Sequence, residues 1–337
     1  MNCPPVNREN EKSAMAPKIS VCIPTYNYAH YIAPAIESVL NQRLTDFELI
    51  ILDDCSKDNT EEAVSRFLND KRVLFEKNER NLGLVANWNK CISMARGEYI
   101  KFVFADDMLA SQEVLGLMAG ILDSDPSVTL VASARHLIDS ESRVIGVASH
   151  FPPDFVADGT DVINRCLKEY MNLIGEPTAV MFRRADGLMG FDKRYHQLVD
   201  LKMWFDLLEK GRFAFIDQPL ACFRIHSGQT TNKNAAQLKN IDDRYLLLSE
   251  YLNKPYSRIN YIRRFYLEFD TLYLIRKFGI KGIVSREQAK KRIRERCSWP
   301  RFYYNFIIYK LLRKLFKMGR KKEQKLYGKP GQNPFGL

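Results

Sequence analysis

Three observations predict an α/β protein: a doubly wound, mostly parallel sheet flanked by helices, with a basic helical extension at the C-terminal end. Short, nearly all-apolar runs alternate with segments of helical period, which is the pattern of strands covered on both faces. Each run stops in polar residues, so the strand ends are marked. Positive charge is concentrated beyond Pro255, where 22 Lys and Arg face 5 Asp and Glu, against 29 and 35 in the rest of the chain.

Taken in order, residues 1–17 read as a mobile polar leader. Ile19 to Ile23 is the first strand, stopped by Pro24, and Tyr31 to Asn41 has helical spacing. Phe47 to Leu52 is a second strand closed by Asp53 and Asp54, with a helix starting near Asn59 and Thr60. Val73 to Glu76 is a weaker third strand, Leu84 to Met94 a helix, Tyr99 to Phe104 a fourth strand and Gln112 to Leu122 a helix. Thr129 to Ala134 and Thr178 to Phe182 are further strands, separated by a looser stretch through Pro152, Pro153 and Gly159. Asp200 to Leu208 is helical, with Leu201, Trp204, Phe205 and Leu208 on one face. Phe213 to Ile216 and Leu220 to Phe223 read as a final strand pair. In the tail, Arg258 to Phe278, Ser285 to Arg296 and Arg301 to Met318 are helices.

With 337 residues, 46% of them hydrophobic, the chain can bury a full core. It lacks an apolar run of about 18 residues and its first segment lacks the apolar middle of a signal peptide. The expected location is therefore cytoplasmic. Seven scattered cysteines without a CxxC pair, several within apolar segments (Cys22, Cys91, Cys222), read as buried thiols in a reducing compartment.

In a parallel sheet the C-terminal loops share one rim, where ligands sit. That rim collects Thr25 to Asn27, Asp53 and Asp54, and the pair Asp106 and Asp107 that ends KFVFADDML. Two carboxylates there suit a hard divalent cation shared with a phosphate, or cap the next helix. With no GxGxxG after the first strand and no GxxxxGK[ST], dinucleotide and P-loop binding are disfavoured.

These motifs together resemble the family 2 inverting glycosyltransferases of GT-A fold, over about Ile19 to Thr231. IPTYN (Ile23 to Asn27) resembles the family's first-strand loop, and LDDCSKDNT (Leu52 to Thr60) its DDxSxDxT segment. NLGLVANWNKC followed by ARGEYIKFVFADD is similar to the helix and strand leading to its DxD motif. LVDLKMWFDLLEKGRFAFIDQPLACFRIHSGQTT resembles the ED-x-D-L-W and PLxxYRxHxxS segments. The resemblance implies a catalytic domain over 18–232, with 18–110 holding a nucleotide-sugar and 111–232 the acceptor, before a basic helical region, 233–337. It places Pro24, Thr25, Tyr26, Asn27, Asp53, Asp54, Asn87, Asp106, Arg224 and His226 at the donor. Asp54 falls to the base by motif position, Asp107 to the metal (Mn2+ or Mg2+) and Asp200 to the catalytic base. Ala105 stands at the first acidic place of the DxD motif, Val199 where Glu is frequent and Lys202 where Asp is frequent.

The chemistry fits these assignments. A leaving diphosphate develops charge that a divalent ion neutralises, and an acceptor hydroxyl needs a base to take its proton. One carboxylate opposite the leaving group suffices for displacement with inversion. Trp204 reads as core or as an acceptor wall, His226 as a diphosphate or metal contact or a structural hydrogen bonder, and Arg224 as a phosphate partner or a salt bridge. In the tail, Phe302, Tyr303, Phe306, Ile307, Leu311, Leu315 and Phe316 beside Lys310, Arg313, Lys314 and Lys317 suit either a helix on an anionic membrane or one packed on the domain. No nucleic-acid motif accompanies the basic tail. The leading expectation is a UDP-sugar donor and a glycan or lipid-linked acceptor, in cell-surface polysaccharide or lipopolysaccharide synthesis at the inner membrane face. The alternatives are a nucleotidyltransferase, which would want a Gly-rich basic loop absent from IPTYNYAH, and a non-catalytic membrane-tethered scaffold.

Overall fold

The computed structural model describes residues 16–226, 228–229, 239–281 and 285–327, with side chains to 313. The predicted leader lies almost wholly outside the described residues. The first half is β1 (Ile19–Thr25), α1 (Ile32–Leu40), β2 (Phe47–Asp53), α2 (Thr60–Ser65), β3 (Val73–Lys77), α3 (Leu84–Met94) and β4 (Tyr99–Phe102). Its strands lie in the order β3-β2-β1-β4, all parallel. Every residue of β1 and β2 is buried, because both faces are covered. Alternation sends Cys22, Ile50 and Leu52 into one apolar cluster with Cys91 and Ile92 of α3. Val21, Ile23, Leu49 and Ile51 enter the other, with Ile32, Ile36 and Val39 of α1.

The second half continues with β5 (Met108–Leu109), α4 (Val114–Ser124), β6 (Val128–Ile138), β7 (Val144–Ala148), β8 (Phe155–Asp158), α5 (Gly159–Glu169), β9 (Val180–Arg183), α6 (Arg184–Gly187), α7 (Val199–Leu208) and β10 (Arg212–Arg224). β9 lies antiparallel between β4 and β6, and β10 runs parallel to β6, so β6 and β10 point the same way as the first half. The expected final strand pair is instead one strand, β10. Its register against β6 shifts around Pro219, which lacks an N–H to donate, so the chain bulges there and does not reverse. β7, β8 and α5 occupy the stretch that seemed loose. α5 begins where Gly159 meets the carbonyl oxygens of Leu208 and Gly211 so closely that a Cβ would lie 2.0 and 2.4 Å from them.

The C-terminal region is helical: α8 (Lys239–Tyr251), α9 (Tyr261–Ile280), α10 (Arg286–Arg294) and α11 (Trp299–Tyr327). Ser285 and Gln288 form a reciprocal capping box at α10. α11 has two faces. Phe302, Phe306 and Tyr309 stack on Phe269 and Tyr273 of α9, with ring centroids 5.2–6.1 Å apart. Tyr303, Tyr304, Ile307 and Leu311 are 54–69% exposed. Among the described residues no helix is long and apolar enough to cross a membrane.

Candidate active site

The C-terminal ends of β1, β2, β4 and β10 bring three polar clusters to one rim. The first is a polar cradle at the ends of β1 and β2. Thr25 stands opposite Asp53 in the ladder. Asp53 Oδ1 accepts from the Ser56 N–H at 3.0 Å and from its hydroxyl, while Asp53 Oδ2 and Thr25 Oγ1 are buried with no hydrogen-bond partner. Two such orphans side by side can accept from a ligand or from water. Asn27, in the left-handed region at φ 60°, locks this loop: its N–H donates to Ser56 Oγ at 2.8 Å and its Oδ1 accepts from the Lys57 N–H at 2.8 Å. Pro24 lies within β1 opposite Leu52, and Tyr26 is exposed at the lip.

Asp54 does not face this cradle. Its Oδ1 accepts from Asn78 Nδ2 at 2.9 Å and from the Leu82 N–H at 2.7 Å, and its Oδ2 from the Gly83 N–H at 2.9 Å. The carboxylate holds the loop before α3, whereas Asp53 keeps one oxygen without a partner. Asn87 is likewise turned inward. Its Nδ2 donates to the Leu52 carbonyl at 3.2 Å and its Oδ1 accepts from Asn78 at 2.8 Å.

The second cluster follows β4. Asp107 is 1% exposed, its Oδ2 accepting from the Thr178 hydroxyl at 2.6 Å and its Oδ1 from the Arg224 N–H at 2.9 Å. Burial, then the neighbouring Asp106 charge, holds its carboxyl well above the usual range. Beneath it Lys101, fully buried, donates to the carbonyls of Thr178 and Val180, and burial pushes its ammonium down to about 7. Asp106 faces the other way, with Oδ2 3.1 Å from His226 Nε2 and a hydrogen bond from Tyr28. Among the described residues the Arg224 guanidinium meets backbone carbonyls and no carboxylate. Its Nε donates to the Asp106 carbonyl at 2.7 Å, one Nη to those of Asp139 at 2.9 Å and Ser140 at 3.2 Å, and its guanidinium lies over Tyr31. It clamps the acidic loop to the turn after β6. Ala105 is 2% exposed in the apolar cluster with Ile23 and Leu109, a place with no room for a solvated acid.

The third cluster surrounds Asp200, in the first turn of α7. Asp200 Oδ1 accepts from the Leu201 N–H at 2.8 Å and Oδ2 from Asn172 Nδ2 at 3.3 Å. Burial is the main cause that pushes its carboxyl up to about 7, with Glu176 adding to the rise and Arg135 opposing it. Glu176 pairs with Arg135 and also acts on Asp107, so the second and third clusters share one electrostatic environment. Trp204 is fully buried against Phe182 and Phe191 and donates to the Gly175 carbonyl at 3.0 Å. It is core that fixes the turn bearing Glu176, not an acceptor wall. Tyr28, Lys101, Asn172, Glu176 and Thr178 were not singled out by sequence reasoning. Of these only Lys101 left a signal, a lone charge in an otherwise apolar strand.

Among the described residues, no group of three or more His, Cys, Asp and Glu could hold a metal ion. The adjacent Asp106 and His226 would offer one carboxylate oxygen and one imidazole nitrogen to a cation whose other positions stay open to water and phosphate oxygens.

A large mixed sheet of this order flanked by helices is the GT-A architecture of glycosyltransferases. The chain belongs to glycosyl transferase family 2, whose model matches residues 20–187. It is 33% identical over 255 residues to the uncharacterised protein MT1568 of Mycobacterium tuberculosis, covering 72% of this chain and 77% of that one. It is 25% identical over 244 residues to the Escherichia coli UDP-Glc:alpha-D-GlcNAc-diphosphoundecaprenol beta-1,3-glucosyltransferase WfgD, covering 72% and 90%. Staphylococcus aureus TarS 1-349 in complex with UDP-GlcNAc superposes with a TM-score of 0.61 at 21% identity, covering 80% of this chain and 77% of that one. The protein is a glycosyltransferase enzyme.

Proposed function

We propose that the enzyme transfers a sugar from a UDP-sugar to a hydroxyl of a glycan or lipid-linked acceptor, with inversion, in the synthesis of a cell-surface polysaccharide. The observation that carries this reading is Asp200: a carboxylate at the rim whose pKa near 7 is matched to taking a proton at neutral pH. The acceptor oxygen bonds to the anomeric carbon as the bond to the diphosphate oxygen breaks, and its proton passes to Asp200. One displacement inverts the centre. Residues 18–110 serve the donor and 111–232 the acceptor. The Asp53 carboxylate and Thr25 hydroxyl receive the nucleoside, since their open oxygens can meet a uracil N–H and a ribose hydroxyl.

The motif position nominates Asp107 for the cation; the geometry favours Asp106 with His226, because Asp107 is almost wholly buried between Thr178 and Arg224, whereas Asp106 is more exposed and stands beside an imidazole that can join it as a ligand. When bound there, Mn2+ or Mg2+ would supply positive charge to the leaving diphosphate. Asp107 then anchors the loop that presents Asp106. WfgD is named for a lipid-linked acceptor, and the exposed apolar face of α11 with its basic flank suits attachment at the anionic inner leaflet, where such an acceptor is presented.

The test is a panel of UDP-sugars with Mn2+ or Mg2+, following release of UDP in wild type, Asp106→Ala and His226→Ala. We expect turnover in wild type and a cation requirement raised at least about tenfold in either variant. An unaltered cation dependence in both would overturn the Asp106 assignment, and no turnover of any donor would overturn the UDP-sugar reading.

A further inference from the structure

The base helix α7 has no side-chain cap of its own at Leu198. The segment leading into it is held instead from α8, outside the matched family region. Asp243, 1% exposed, accepts at one oxygen, Oδ2, from three consecutive backbone amides: His196 at 2.8 Å, Gln197 at 2.5 Å and Leu198 at 2.9 Å. Its Oδ1 lies 3.6 Å from His196 Nδ1. A second tie lies a helix length away. Tyr251 of α8 donates to Asp206 at 2.8 Å and packs on Phe205, while buried Lys202 reaches both Asp206 at 2.5 Å and Glu250 at 3.3 Å. α8 therefore grips the base helix at its beginning and along its length. A buried carboxylate bonded by three amides is a strong local constraint, since charge-assisted bonds are about twice as strong as neutral ones.

We propose that Asp243 is a positioning residue for the transfer step. By fixing residues 196–198 it sets where α7 starts, and so where the Asp200 carboxylate, two residues on, points. The inference rests on Asp200 being the base. It makes catalysis depend on the C-terminal helical region, whose sequence carries no glycosyltransferase motif.

The test uses the full chain with Asp243→Asn and Asp243→Ala, and Asp200→Asn as reference. UDP affinity by calorimetry and KM for the donor should stay at wild-type values, because the Thr25–Asp53 cradle is remote from α8. For Asp243→Ala, kcat of transfer should fall on the order of a hundredfold, as a displaced catalytic group costs. For Asp243→Asn, which keeps an oxygen acceptor but loses the charge, the fall should be about tenfold. The acidic limb of the kcat profile should also move below 7, since a shifted Asp200 regains water while Asn172, Glu176 and Arg135, the groups around it, are unchanged. Wild-type kcat and an unmoved limb in Asp243→Asn would overturn the proposal, even if the alanine variant fails to fold. Full transfer by Asp200→Asn would instead overturn the base assignment on which it rests.

Discussion

Replacing Asp200 by asparagine should abolish transfer and stabilise the protein, and the two effects should share one pH window. The carboxyl stands at about 7, against an ordinary aspartate near 4, because burial disfavours its charged form. Between those values the folded protein binds the proton that the unfolded chain releases. Folding stability therefore falls as pH rises through that window, and above pH 7 the full cost is present. At about 1.4 kcal/mol per pH unit the cost is at most on the order of 4 kcal/mol. Asparagine has no charge to bury. Urea unfolding should accordingly find Asp200→Asn more stable than wild type at pH 8 and equal to it at pH 4.5. In wild type, kcat should fall about tenfold per unit below pH 7, as the ionised base is lost. Equal stability differences at both pH values, or transfer by Asp200→Asn at the wild-type rate, would refute the reasoning.

The two aspartates after β2 should separate cleanly. Asp53→Asn should weaken UDP binding by calorimetry about tenfold with little loss of stability, whereas Asp54→Ala strands the Leu82 and Gly83 amides and should cost ~2–4 kcal/mol in urea unfolding. The reverse pattern would return the base to Asp54. Replacing Tyr303, Ile307 and Leu311 together by serine should release the protein from anionic vesicles in a sedimentation assay without changing UDP release in solution; undiminished vesicle binding would remove α11 from the membrane reading.

Much of the fold was legible because β1, β2 and β4 are buried on both faces and so read as unbroken apolar runs. The helices between them keep one apolar stripe, as Ile32, Ile36 and Val39 do. Legibility failed where long-range contacts decide. Pro219 reads as a turn, yet β6 holds β10 straight across it. α5 announces itself only through Val162, Ile163, Cys166 and Leu167, after a glycine whose purpose is the approach of Leu208 and Gly211 from elsewhere in the chain. α8 has an apolar stripe, Ile241, Leu247, Leu248 and Tyr251, but its grip on α7 through Asp243 and Tyr251 depends on partners far apart in the chain.

The site was legible as residue types and not as directions. Asp53 and Asp54, like Asp106 and Asp107, are identical neighbours in sequence, but adjacent side chains at a strand end diverge. In each pair the protein itself satisfies one member. Asn78, Leu82 and Gly83 take Asp54, and Thr178 and Arg224 take Asp107. The other members differ: Asp53 keeps an orphaned Oδ2, and Asp106 turns its Oδ2 to His226 at 3.1 Å. A carboxylate fully bonded within the protein stabilises its loop, and one left open at the same place can bind. Sequence shows neither the donors nor the burial around each carboxylate, and those are what distinguish the members of each pair.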